Sequence, residues 1–243
     1  MISKGKLIKF FKVSKIKFLD VLIVLFFLIS ILFCFFSKKS YLIYSVPVVI
    51  FSITLKYILI SKKKINLFFI LAIVLTLVSD VLIFKDFQAY YIYISILTNL
   101  CIICYILTIR NYLHKNKLRS LLSVSVILSL GLVVYLIFSL LKVLSLELTN
   151  APLILTSLAT IGFIIYFISA GIIYLKSMYN NAVVLLISVI AYFFQLIFSI
   201  INEFIYFERI LTALIIVCHI GSIYLLMKFL LEATIIDHKI IEN

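Results

Sequence analysis

Tryptophan is absent from this 243-residue chain, and glycine and proline are scarce, with 5 and 2 residues. Ion-coupled transporters commonly break their helices with glycine or proline at mid-membrane. Here no apolar stretch is interrupted at its centre, which disfavours that class. Linkers rich in Gly, Ser or Pro are missing, and so is any polar stretch long enough for a soluble domain, so the chain reads as one unit over residues 1–243. Acids are few as well, 9 Asp and Glu against 22 Lys and Arg. Of the four cysteines, Cys101 and Cys104 form a C-x-x-C, but no second pair or histidine cluster stands near them. A structural zinc site needs four such ligands, so these thiols read as small packing residues, and neither a metal nor a cofactor is expected.

What fills the chain is apolar. Hydrophobic residues make up 66%, and the mean hydropathy is +1.33. Eight long apolar stretches lie at about 19–36, 41–60, 66–84, 88–109, 121–141, 152–174, 182–202 and 210–231. A helix needs roughly 20 apolar residues to cross the hydrocarbon core, and without water a spanning segment must satisfy its own backbone. Transmembrane strands would be about 10 residues long with alternating polarity, a pattern absent here. The expectation is an all-α polytopic membrane protein with a bundle of eight transmembrane helices. A basic arm at about 1–18 precedes the spans, and a short tail at 232–243 follows them. The arm resembles the charged region of a signal peptide, but no small-residue cleavage site follows, so the first span is read as uncleaved.

Charge sets the expected topology. With eight spans both termini share a side, and 17 of the 22 basic residues fall there. They include the arm lysines, Lys56, Lys62–Lys64, Arg110, Lys115, Lys117, Arg119, Lys176, Lys228 and Lys239. That side carries +13 and the other side sums to zero. Basic loops stay cytoplasmic, so both termini are expected in the cytoplasm, with the cytoplasmic membrane of a bacterium as the expected location. The basic residues are juxtamembrane and scattered, without a nucleic-acid-binding module. Membrane lipids, with anionic headgroups at the cytoplasmic face, are therefore the expected partners rather than nucleic acid; the sequence points to no protein partner. Tyrosines stand in for tryptophan at the interface, with Tyr90, Tyr91 and Tyr93 reading as an aromatic belt. Pro47 should bend the second span near its outer end, and small residues from Thr156 to Gly171 should let the sixth span pack closely.

Ionisable and strongly polar groups inside a bilayer are costly and point to function. Asp80 lies about one turn below the outer end of the third span, beside Ser79 and one turn after Thr76, so close to the end that it also reads as an interfacial residue that reaches water. Asn99, Gln195, Asn202, Glu203 and His219 lie at or above mid-depth on the same side. Taken singly, each reads as an interhelical hydrogen bond. Together they are consistent with a polar cavity opening outward, in which a carboxylate and an imidazole can serve acid–base chemistry, a proton path or a ligand.

The order of these features resembles the YhhN family of lysoplasmalogenase-type membrane proteins. The resemblance is carried by eight spans, by Ser79-Asp80-Val81-Leu82-Ile83 followed by Phe87, by Pro47, and by Asn202 and Phe204. The chain departs from the family pattern at Val46, where a basic residue is usual. It also has Asn99 for a histidine, His219 for a glutamine, and Gln195-Leu196 for a second Ser-Asp. The resemblance implies hydrolysis of the vinyl ether bond of lysoplasmalogens, releasing a fatty aldehyde. On this reading Asp80 is the acid, His219 or Glu203 assists, and Asn99, Gln195 and Asn202 bind substrate. A vinyl ether hydrolyses through carbon protonation and an oxocarbenium-like ion, for which a buried carboxylic acid is a fitting donor. With the second acid missing, activity is expected to be weak. The competing expectations are a membrane protein that binds or moves an amphiphile, and a structural or assembly protein whose helices only pack.

Overall fold

The computed structural model describes residues 4–61, 65–113, 124–176 and 178–236. Among these residues eight α-helices follow one another: α1 (Lys4–Phe36), α2 (Leu42–Ile60), α3 (Leu67–Asp86), α4 (Tyr91–Ile109), α5 (Val124–Glu147), α6 (Asn150–Leu175), α7 (Ala182–Ile200) and α8 (Arg209–Glu232). A π-helical turn, Ile201–Ile205, extends α7. Among the described residues, no strand forms beyond a single bridge between Tyr179 and Ile235. Seven helical stretches there are long and apolar enough to cross a membrane, and α5 contributes a shorter apolar stretch, Val133–Leu146. The helices begin and end near the expected span limits. The clearest difference is at α1, which starts at Lys4 and takes the basic arm into the helix. Lys62–Lys64, Lys115, Lys117, Arg119 and Lys239, on which part of the charge asymmetry rests, lie outside the described residues.

The helices sort their residues as a bilayer dictates. On α3 the buried face runs Phe69, Ala72, Ile73, Thr76, Ser79, Asp80 and Phe84, a helical spacing. The opposite face exposes Leu67, Phe68, Leu71, Val74, Val78 and Val81, all apolar. Within the apolar stretch the polar residues Thr76, Ser79 and Asp80 are thus on the inner side, the reverse of a soluble amphipathic helix. Small residues allow close approach on α6: at Gly162 an added Cβ would sit 3.2 Å from Ile102 of α4.

Cross-contacts fix the chain direction at two opposite ends. At one end Lys56 pairs with Asp20 at 2.5 Å. There the Asn66 backbone N–H donates to the Tyr57 hydroxyl at 3.0 Å, and its side-chain amide donates to the Thr108 carbonyl at 3.2 Å. Asn66 also caps α3, accepting from the Phe69 N–H at 3.2 Å. Tyr112, Tyr179 and Phe229 pack their rings at the same end, with centroids 4.8–6.3 Å apart. Lys39, Phe87, Tyr91, Thr156 and Glu203 meet at the other end. Tyr91 pairs with Thr156 and Tyr105 with Tyr166, so α4 and α6 run parallel and α5 carries the chain back between them.

Candidate functional site

Asp80 and His219 meet. The Nε2 of His219 on α8 lies 3.0 Å from Oδ2 of Asp80 on α3, across 139 residues of sequence. Asp80 is 3% and His219 4% exposed, and in a membrane protein that burial removes both from water and lipid alike. Asp80 sits six residues before the end of α3, or about 9 Å along the helix. One proton lies between the two groups whichever carries it. If the carboxylate is ionised, Nε2–H donates to it; if the acid is protonated, it donates to Nε2 and Nδ1 carries the imidazole hydrogen. In the described structure Nδ1 of His219 is buried with no protein partner, as is Oε1 of Gln195.

The pair lies in the wall of a cavity of about 140 Å³ enclosed by α3 to α8. Gln195, Thr76, Ser79, Cys101 and Thr156, with further Ser, Thr and Tyr hydroxyls, add polar atoms to a lining that is mostly apolar. Ile137, Leu140, Leu141 and Leu144 of α5 close one side of it. At the end nearest Lys39, Phe87, Tyr91 and Phe204 form a ring cluster with centroids 5.2–5.8 Å apart. Tyr91 fixes this cluster to α6 through a 2.7 Å bond to Thr156. The Thr156 hydroxyl proton is used on the Pro152 carbonyl at 2.8 Å, so the Tyr91 hydroxyl is the donor.

Of the six residues singled out from sequence, the structure brings Asp80, His219 and Gln195 to this cavity, and the other three do not line it. Asn99 makes an interhelical bond, donating to the Ser95 carbonyl at 2.8 Å and the Leu155 carbonyl at 2.9 Å. Asn202 ties the π-turn to the start of α8: its Oδ1 accepts from the Glu208 N–H at 2.9 Å, and its amide donates to Thr212 at 3.3 Å. Glu203 forms an ion pair with Lys39, and its carbonyl accepts from Gln88 at 3.1 Å. Tyr91 corrects the expected aromatic belt. Tyr93 is 61% exposed, as a belt residue would be, but Tyr91 is buried and turned onto the cavity. Tyr91, Cys101 and Thr156 were not legible as site residues, since an aromatic at a span end and small residues within spans are ordinary there. Cys101 and Cys104 are buried free thiols, and Cys101 lies 3.3 Å from the Thr76 hydroxyl. Among the described residues no group of three or more His, Cys, Asp or Glu is placed to hold a metal.

The geometry defines a helical membrane protein with a buried carboxylate–imidazole pair in an apolar chamber. In comparison with known proteins, the chain matches no family model, no curated protein and no solved structure.

Proposed function

We propose that this chamber receives the polar–apolar junction of a single-chain lipid and that the Asp80–His219 pair donates a proton to it, with enol-ether hydrolysis as the reaction. The contact of 3.0 Å between two nearly inaccessible ionisable groups carries this reading. Such groups are expensive inside a bilayer and are kept there for chemistry or binding. A chamber of about 140 Å³ is of the size that holds a benzene-sized group. It therefore suits the reacting end of an amphiphile, with the rest of the chain in the bilayer beside α5.

The chemistry balances with the residues present. The pair, neutral overall, protonates the β-carbon of the vinyl ether, and the adjacent carbon becomes an oxocarbenium ion. The pair is left with one negative charge, which opposes the developing cation in a low-dielectric site. Water adds to the cationic carbon, and the resulting hemiacetal returns a proton to the pair. The hemiacetal then collapses to the aldehyde as the glycerol oxygen departs as an alcohol. Glu203, committed to Lys39 outside the chamber, supplies no second carboxylate. The resemblance to the YhhN family belongs to this reading, as does the orientation that puts the basic end of the bundle in the cytoplasm and the chamber toward the opposite face.

The test is incubation of the purified protein in detergent with an alkenyl lysophospholipid, with the aldehyde read by mass spectrometry. Release that is lost in Asp80→Asn and lowered in His219→Gln is expected. No release by the folded protein, or release that Asp80→Asn leaves intact, overturns the catalytic reading. A second reading, binding of an amphiphile without chemistry, is favoured by one observation. Asp80 is the sole carboxylate in a mostly apolar lining, so the second acid of a two-carboxylate mechanism is missing.

A further inference from the structure

A second cavity, of about 290 Å³, lies where the α1–α2 turn meets the start of α8. Lys38, Lys39 and Arg209 line it, with Ser37 and Thr212 adding hydroxyls. Among the described residues, the one carboxylate bound to these cations is Glu203, on Lys39. Glu208 precedes Arg209 in sequence but does not line the cavity. Among the described residues, Lys38 and Arg209 are thus left without a carboxylate partner, with the Ser37 hydroxyl beside them. Arg209 is anchored by one donor, Nη1, to the Phe35 carbonyl at 2.6 Å, which leaves the rest of its guanidinium fork available. That fork, a lysine ammonium and the Ser37 hydroxyl are donors of the kind a phosphate group takes; the Thr212 hydroxyl proton is committed to the Glu208 carbonyl at 3.1 Å.

The two cavities share a partition. The Lys39 ammonium sits 5.7 Å from the centroid of the Phe87 ring, and Phe87 lines the Asp80–His219 chamber. Gln88, the next residue, holds the Glu203 carbonyl. A phosphate in the cationic cavity would stand beyond Phe87, on the side away from the acid pair.

We propose that the Lys38–Arg209 cavity is a phosphate site, and that the phosphate it takes is the headgroup of a single-chain phospholipid whose chain junction enters the neighbouring chamber. The phosphate part stands on the cationic cavity alone; its link to the chamber rests on the function proposed above. Phosphate binding is read without turnover, by native mass spectrometry of the detergent-solubilised full chain. The probes are a lysophospholipid, an uncharged monoglyceride of the same chain, and inorganic phosphate. Lys38→Gln with Arg209→Gln should weaken lysophospholipid binding about tenfold or more, since charge-assisted bonds are lost, and leave monoglyceride binding unchanged. Asp80→Asn should leave lysophospholipid binding in place. Equal lysophospholipid affinity in the wild type and the double variant overturns the proposal. Inorganic phosphate binding as tightly as the lysolipid, and weakened by the same double variant, overturns the lipid source and assigns a free anion. Charge-dependent binding without aldehyde release would sink the catalytic reading and leave this site standing. Should the double variant fold poorly, Arg209→Lys keeps the charge and removes the fork, and an intermediate loss is then expected.

Discussion

The two ends of this bundle are built differently. At the end that gathers Tyr57, Asn66, Thr108 and Phe229, Asn66 and the Asn181 amide bond neighbouring helices, rings fill the space between, and Oδ1 of Asn181 is the one buried side-chain polar atom there without a partner among the described residues. Tyr57 packs its ring on Phe69 at 4.8 Å while its hydroxyl serves Asn66. At the opposite end the same fold holds two cavities and a buried acid–imidazole pair. Close packing is what stabilises a membrane bundle, because lipid tails are as apolar as the side chains they touch. The end around Asn66 is therefore the scaffold, and the opposite end gives up part of that packing to hold its cavities. Substitutions should separate accordingly into those that unfold and those that inactivate.

The largest effect is expected at the acid pair. Asp80→Asn keeps the shape and removes the proton donor. A positioned acid contributes about 10²–10⁴-fold, so aldehyde release should fall by that order with thermal stability little changed. Phe69→Ala should do the converse. Phe69 is fully buried, and truncating such a ring costs about 3–5 kcal/mol. Unfolding in a denaturing detergent should show that loss, while the rate per folded molecule stays within about twofold of wild type. If Phe69→Ala instead inactivates a folded protein, the division between the two ends fails.

A third prediction concerns the missing acid. Leu196 lines the chamber, so Gln195→Ser with Leu196→Asp would place a second carboxylate in its wall. A preorganised charge that faces a developing cation is worth roughly 10²-fold in rate. Release should rise by about that factor if the protein folds, against the cost of burying another acid. No release from either the wild type or the double variant, with both folded, would argue for binding without chemistry.

Much of the fold could be read from the sequence because a bilayer imposes few rules. Length, apolarity and backbone satisfaction define the spans, and the described helices begin and end near them. Asp80 and His219 stood out for the same reason, as ionisable groups where such groups are costly. Their contact did not, because it depends on α3 and α8 being neighbours, and no local pattern encodes that. Asn99, Asn202 and Glu203 looked alike from the sequence, being polar and at similar depth. Helix rotation and the π-turn separate them, turning one to a backbone carbonyl, one to a helix start and one to Lys39. Tyr91 was misread since a tyrosine at a span end is as consistent with lipid headgroups as with a cavity.

The smallest effect comes from one conservative change made at both ends. Tyr57→Phe removes the acceptor of the Asn66 backbone N–H. An amide that loses its partner away from water costs about 1–3 kcal/mol. Tyr91→Phe removes a donor instead. Its acceptor, the Thr156 hydroxyl, keeps its own proton on the Pro152 carbonyl, so no donor is stranded at Thr156. The cost should be the net value of one hydrogen bond, about 0.5–1.5 kcal/mol. The ring stays on Phe87 and Phe204, so the chamber wall is kept. Unfolding in a denaturing detergent should rank Tyr57→Phe above Tyr91→Phe in lost stability, with aldehyde release close to wild type in both. If Tyr91→Phe costs more than Tyr57→Phe, the cavity end is the more tightly determined of the two, and the scaffold assignment reverses.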